Sequence, residues 1–198
     1  MATANRGKLA EIRAILAPYH LDVELETMTE LGVEPPVEDG DTFEDNALIK
    51  ARQCVAATGL PAIADDSGLE VDALDGEPGV RSARYAGEPT DDDANNRKLL
   101  AALAGVPDER RTARFVCAAA LVTPDGRERV VRGTMAGYIV DAPRGDHGFG
   151  YDPLFVSEVV GDGRTNAELT AQEKDAISHR GAAFRALAPA LRELLLDG

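Results

Sequence analysis

The sequence predicts an α/β fold with a mixed sheet flanked by helices, and three observations carry that expectation. Apolar residues recur at helical spacing in several segments, and short runs of small and β-branched residues stand between them. The connections include helix-length crossovers as well as one tight hairpin turn, which together make a sheet mixed. With 198 residues the chain is expected to form one domain, 1–198, burying roughly 70% of its unfolded surface.

Taken in order, Leu9, Ile12, Ile15 and Leu16 define a first helix, with Asn5 placed to cap it and Pro18 to end it. V-E-L-E-T-M, Val23 to Met28, reads as a strand, followed by an acidic, proline-bearing loop from Gly32 to Asp41. Thr42 and Asp45 resemble a capping box with Asp in place of Glu. The helix they open carries the stripe Phe43, Ala47, Ala51 and Val55, and closes at Gly59 and Pro61. Ala62-Ile63-Ala64 reads as the end of a buried strand. A helix then starts at Thr90-Asp91 and runs through Leu99, Leu100 and Leu103 to Gly105 and Pro107. Arg114 to Val122 and Arg127 to Ile139 are two strands of a hairpin turned by Pro124-Asp125-Gly126. Thr170 and Glu173 form a second capping box, and a last helix follows Ser178 with Pro189 inside it.

Composition excludes more than it assigns. A net charge of −14 argues against a nucleic-acid partner, whose backbone needs a basic surface. No apolar run approaches the ~18 residues of a membrane span, so no membrane partner is expected. Cys54 and Cys117 form no C-x-x-C and suggest neither a disulfide framework nor a zinc site, which fits a reducing cytoplasm. Of the 21 basic residues only Lys8, Lys50, Lys98 and Lys174 are lysines. A chain that otherwise uses Arg keeps Lys where a compact ammonium serves.

The chemistry concentrates around Asp65-Asp66-Ser67-Gly68, directly after the apolar run. Ligands of open α/β sheets sit beyond strand ends, so two acids, a hydroxyl and a glycine here mark a site; the same residues also suit an Asx turn. Neighbouring strand residues point to opposite faces, so one aspartate faces the site while the other ties down backbone. The turn Thr3 to Gly7 before a helix N-terminus, with Lys8 following, suits an anion and equally suits a capped surface helix. Asn46 and Lys50, four apart, share a helix face. Glu38 lies in the loop before them, a solvated acid by itself and able to reach the Asp66 region. In P-R-G-D-H-G-F-G-Y-D-P, Phe149 or Tyr151 can stack on a planar base or fill a core. His179-Arg180 can donate hydrogen bonds to a ligand or decorate a surface.

Six stretches taken together resemble the inosine-triphosphate pyrophosphatase family from Thr3 to about Gly181. They are T-A-N-R-G-K; T-F-E-D-N-A-L-I-K-A; A-D-D-S-G-L-E-V-D-A-L; P-G-V-R-S-A-R-Y-A-G; G-F-G-Y-D-P; and I-S-H-R-G, with A-E-L-T and E-K before the last. The resemblance implies two lobes with a central nucleotide cleft, a homodimer, and Mg²⁺-dependent hydrolysis of ITP, dITP or XTP to the monophosphate and pyrophosphate. It implies that Thr3, Asn5 and Lys8 hold the triphosphate, with Ala4, Arg6 and Gly7 completing that turn. Glu38 and Asp66 would hold Mg²⁺, and Asp66 would also be the base for the attacking water. Asn46 and Lys50 would line the phosphate side and Ser67 would contact substrate. Phe149, Gly150, Tyr151, Asp152, Lys174, His179 and Arg180 would enclose the base. Two features depart from the family pattern: Ala4 stands where Gly is frequent, and only Met1 and Ala2 precede the first motif, so an upstream strand is expected. A house-cleaning pyrophosphatase for other modified nucleotides and a non-enzymatic nucleotide sensor are the competing functions.

Overall fold

A computed structural model describes residues 1, 6–21 and 24–196; of Arg6, Gly7, Leu195 and Leu196 it describes the backbone only. Among the described residues five α-helices and four strands follow one another in the expected mixture. They are α1 (Arg6–Leu16), α2 (Phe43–Thr58), β1 (Ala62–Val71), α3 (Asp92–Ala102), β2 (Thr112–Val122), β3 (Glu128–Ile139), β4 (Phe155–Ser157), α4 (Ala171–Ile177) and α5 (His179–Leu196).

Local chemistry sets most boundaries where the sequence places them. The Thr42 hydroxyl caps α2 by accepting from the Asp45 amide, and donates to the Asp45 carboxylate at 2.7 Å. Gly59 ends that helix in the left-handed region. Asp91 caps α3 by accepting from the Ala94 amide, and Thr170 with Glu173 closes a reciprocal capping box on α4. The β2–β3 turn is held by Thr123, whose amide donates to the Arg127 carbonyl at 3.0 Å.

The sheet order is β1-β2-β3-β4. β3 and β4 are antiparallel, with Gly137 opposite Ser157 and Ile139 opposite Phe155. Between β1 and β2, Arg114 bonds Glu70 and Thr112 bonds Asp72, rising along one strand while falling along the other, the sense of an antiparallel pair. The expected mixed sheet is thus corrected to one whose neighbours follow chain order. The reason lies in the connections: the excursion from β1 through α3 returns beside β1 in the opposite direction instead of crossing over. The expected strand at V-E-L-E-T-M is not formed among the described residues; Val23 lies outside them and residues 24–27 join no ladder.

The chain divides into two compact units. Residues 1–66, 117–133 and 180–198 form the first, and residues 67–116 and 134–179 the second. β1, β2 and β3 each begin in one unit and end in the other. The first unit packs Ile12 and Leu16 of α1 and Phe184 and Leu187 of α5 with Ile63, Ala119 and Leu121 of the strands. The second packs Leu69, Leu99, Met135, Leu154 and the tilted ring pair Phe115–Phe155, 4.7 Å apart.

In the second unit Gly137 has no room for a side chain: a Cβ there would lie 2.1 Å from the Val156 carbonyl oxygen and 2.6 Å from the Phe155 ring. Gly137→Ala must therefore spread β3 from β4, which should cost about 1–3 kcal/mol and lower the thermal midpoint by several degrees. A midpoint equal to wild type by calorimetry would show that the pairing is looser than this geometry.

Candidate active site

The end of the apolar run in β1 buries two carboxylates side by side, and alternation along the strand gives each a different set of partners. Asp65 is 2% exposed. Its Oδ2 accepts from Lys8 Nζ of α1 at 3.2 Å and from Arg180 Nε of α5 at 3.3 Å. Arg180 also holds Glu11 of α1 at 2.7 Å, so Glu11, Arg180, Asp65 and Lys8 form one chain of alternating charge. Burial by itself raises the Asp65 carboxyl, but Lys8, Arg180 and Lys50 outweigh it and hold it well below the usual carboxylate range.

Asp66 faces α2. Its Oδ1 accepts from Lys50 Nζ at 3.1 Å and its Oδ2 from Asn46 Nδ2 at 3.1 Å. The same Lys50 ammonium reaches Glu38 Oε2 at 3.2 Å, so both candidate metal ligands converge on a single cation. Burial raises the Asp66 carboxyl above its ordinary value; Lys50 opposes that, and the nearby Glu38 charge adds to it. Burial would lower Lys50, yet Asp66 and Glu38 hold it above its ordinary value, so its ammonium stays charged.

These polar groups are fixed from below. Asn46 and Lys50 lie on the buried side of α2 beside Ala47 and Ala51, so the helix that covers the core also carries the polar pair. The Asn46 carbonyl accepts from the Gly40 amide at 2.9 Å, tying the Glu38 loop to the helix. A Cβ on Gly40 would sit 2.8 Å from that same oxygen, so glycine is what lets the loop lie so close.

Donor chemistry at Glu38 and Asp66 fits Mg²⁺. Both offer hard carboxylate oxygens drawn to one positive point, and no third His, Cys, Asp or Glu joins a metal-binding group among the described residues. One or two carboxylates, with water and substrate phosphates filling the rest, is the ligand set Mg²⁺ takes.

A second cluster lies in the other unit. Asp152, buried, accepts from Lys174 Nζ at 2.5 Å, from the Phe149 amide at 2.9 Å and from Asn166 Nδ2 at 3.2 Å. Lys174 thereby stands 4.8 Å from the centre of the Phe149 ring, which is 64% exposed. Tyr151 is no stacking platform: its ring belongs to the core and its hydroxyl donates to the Ser82 carbonyl at 2.8 Å. Gly150 donates to Asp92 and accepts from Asn96. His179 is buried and stacked on Phe115 at 5.0 Å. Ser67, half-buried, follows Asp66 on β1.

Within the first unit the expected Lys8, Glu38, Asn46, Lys50, Asp66 and Arg180 fall into the two carboxylate networks. Phe149, Gly150, Asp152 and Lys174 assemble in the second unit. Thr3, Ala4 and Asn5 lie outside the described residues, as do the Arg6 and Gly7 side chains. Arg180 is 4% exposed and spent on Asp65 and Glu11, an anchor rather than a group presented at a surface. Of the two aspartates, whose roles the sequence left open, Asp65 binds two side-chain cations. Glu11 escaped the sequence reading, although its place three residues after Lys8 on α1 puts it on the same helix face.

Residues 1–190 match the Ham1 family. A protein of Frankia alni named dITP/XTP pyrophosphatase is 58% identical over 98% of this chain and 97% of its own. One of the same name from Streptomyces coelicolor is 56% identical over the same shares. Among solved structures, a HAM1 protein from Coxiella burnetii superposes with a TM-score of 0.88 at 44% identity over 96% of each chain. A nucleoside-triphosphatase / dITP/XTP pyrophosphatase from Mycobacterium abscessus gives 0.79 at 53% identity over 97% of this chain and 96% of that one. The charged networks on β1 therefore sit in a fold and a sequence shared along nearly their whole length, and the chain belongs to the Ham1 family.

Proposed function

We propose that this chain is a nucleoside-triphosphate pyrophosphatase that hydrolyses deaminated purine nucleotides (ITP, dITP and XTP) to the monophosphate and pyrophosphate, removing them from the nucleotide pool. The observation that carries the reading is the convergence of Asp66 and Glu38 on Lys50, in a chain whose relatives bear that name. Cleavage at the α-phosphorus needs an oriented water, a proton acceptor for it, and cations for the departing pyrophosphate. Asp66 orients the water and takes its proton. Lys50 and Lys8 receive the pyrophosphate charge, each ammonium now resting on a carboxylate it can share with a phosphate. Glu38 and Asp66 would hold Mg²⁺, which when bound supplies charge neutralisation at the phosphates. Phe149 stacks on the purine, and Lys174 donates to the carbonyl that inosine and xanthosine carry at C6. On the family resemblance, the enzyme acts in the cytoplasm as a homodimer.

The two aspartates should separate by readout. Asp66→Asn removes the proton acceptor and should lower kcat for ITP by about 10²–10⁴ while the protein stays folded. Asp65→Asn strips the counter-charge from Lys8 and Arg180, and should cost about 3 kcal/mol of stability, the low end for a broken buried pair. That end applies because the Lys8 side chain is 27% exposed and Arg180 keeps Glu11. The Asp65 contribution is complete above the unfolded carboxylate value near ~3.9 and is lost as pH falls below it towards the depressed native one. Acid titration of wild type and Asp65→Asn by circular dichroism tests this, since the mutant should lose that part of the acid dependence. Near-normal turnover in Asp66→Asn, measured as pyrophosphate release, would remove it from the mechanism.

Base selectivity tests the second cluster. A donor aimed at a C6 carbonyl is left unpaired by the adenine amine, and sites built on such contacts discriminate by roughly 10⁴–10⁵. Guanine keeps the carbonyl and must be rejected through its 2-amino group, a smaller barrier. The expected order of kcat/KM is ITP or XTP, then GTP, then ATP. Lys174→Ala should depress the first two more than ATP. Equal cleavage of ATP and ITP by wild type, or equal loss on all substrates in the mutant, would place base recognition elsewhere.

A further inference from the structure

One of the six motifs supplies no side chain to the two carboxylate networks or to the Phe149 cluster. P-G-V-R-S-A-R-Y-A-G, Pro78 to Gly87, sits wholly in the second unit and is tied down on its inner side. Ser82 accepts from the Leu69 amide at 2.8 Å and donates to the Gly79 carbonyl at 2.7 Å, while its own carbonyl takes the Tyr151 hydroxyl at 2.8 Å. Asn95 of α3 clamps the far end, accepting from the Ala86 amide at 2.7 Å and donating to the Ala83 carbonyl at 3.0 Å. Five hydrogen bonds to one short turn fix its backbone and thereby fix what it presents outward.

What it presents outward is positive. Arg81 and Arg84 are exposed and line a groove of about 340 Å³ together with Tyr85, Gly87, Glu77 and Lys98 of α3. Lys98 is held there by the Tyr85 carbonyl at 2.6 Å and lies 4.2 Å from the centre of the Tyr85 ring. The Arg81 guanidinium has no ion pair or side-chain hydrogen bond among the described residues. The single carboxylate, Glu77, accepts from the Tyr85 hydroxyl at 3.3 Å. Three cations against one carboxylate, in a chain of net charge −14, is a local reversal of sign. Guanidinium forks and an ammonium on a rigid backbone are the groups that recognise phosphate oxygens. The volume lies at the lower end of the roughly 300–1,000 Å³ of small-molecule sites, which suits a phosphate group better than a large organic ligand.

We propose that this groove is a second anion site, separate from the Asp66 cluster in sequence and chemistry, that takes a di- or triphosphate group. The proposal stands on the groove itself and does not depend on the pyrophosphatase reading. Two sources carry this chemistry, free pyrophosphate and the tail of a nucleotide. The test is a titration of the ¹⁵N-labelled full chain with inorganic pyrophosphate, without divalent metal, following the amides of Arg81–Gly87. Saturable shifts there are expected, with affinity at least tenfold weaker in R81Q/R84Q. The same double variant should release pyrophosphate from ITP at the wild-type rate, because neither arginine belongs to the Asp66 or Phe149 clusters. A non-hydrolysable triphosphate analogue that displaces the bound pyrophosphate identifies the nucleotide tail as the natural occupant, and failure to displace it leaves free pyrophosphate. If these amides do not move at millimolar pyrophosphate, or move equally in the double variant, the groove is a solvated basic patch and the proposal is wrong.

Discussion

Two adjacent carboxylates cannot be buried at the end of one strand without cations to meet them, and the architecture of the first unit follows from that constraint. An uncompensated buried carboxylate costs several kcal/mol or gives up its charge. β alternation sends Asp65 and Asp66 to opposite faces, so each needs its own helix with its own basic residue. α1 and α5 answer Asp65 with Lys8 and Arg180, while α2 answers Asp66 with Lys50 and Asn46. The three helices are thus positioned by charge as well as by the apolar packing of Ile12, Ala47 and Phe184.

The two networks are not equivalent in their degree of compensation. Asp65 meets two cations and lies below its ordinary pKa, a sealed structural charge. Asp66 shares one ammonium with Glu38 and lies above its ordinary value, an acceptor with unmet demand for positive charge. Neighbouring residues of one type are thereby shifted in opposite directions by their surroundings alone. A deficit of positive charge at Asp66 and Glu38 is what a divalent cation would relieve.

Sequence legibility divides along the same physical line. Capping chemistry is local, so Thr42, Asp91 and Thr170 announce their helices, and the Pro124-Asp125-Gly126 turn announces its hairpin. Asn46 and Lys50 are legible as a pair because the helix period puts them on one face, though only the structure shows that face to be buried. Pairings over long separations were not legible: nothing in the sequence ties Arg180 to Glu11 and Asp65, 169 and 115 residues away. Nor does G-F-G-Y-D-P say which aromatic is presented; that depends on Ser82 offering Tyr151 a buried acceptor. Strand direction was not legible because helix-length connections suit both crossover and antiparallel return.

Lysine usage gains a physical meaning from the structure. The ammonium of Lys8 rests on Asp65, Lys50 on Asp66 and Glu38, Lys174 on Asp152, and Lys98 on the Tyr85 carbonyl. Arginines instead make surface pairs such as Arg52–Glu128 and Arg164–Glu173, or the buried anchor at Arg180. A guanidinium fork suits such fixed two-point contacts because its geometry is rigid. An ammonium has three rotatable donors and no preferred plane, so it can keep one carboxylate while turning another hydrogen towards an arriving phosphate or carbonyl oxygen. Lys8, Lys50 and Lys174 need that property under the proposed chemistry, since each must stay neutralised before substrate arrives and remain able to receive it. Replacing any of the three by Arg would preserve the charge and lose the exchange.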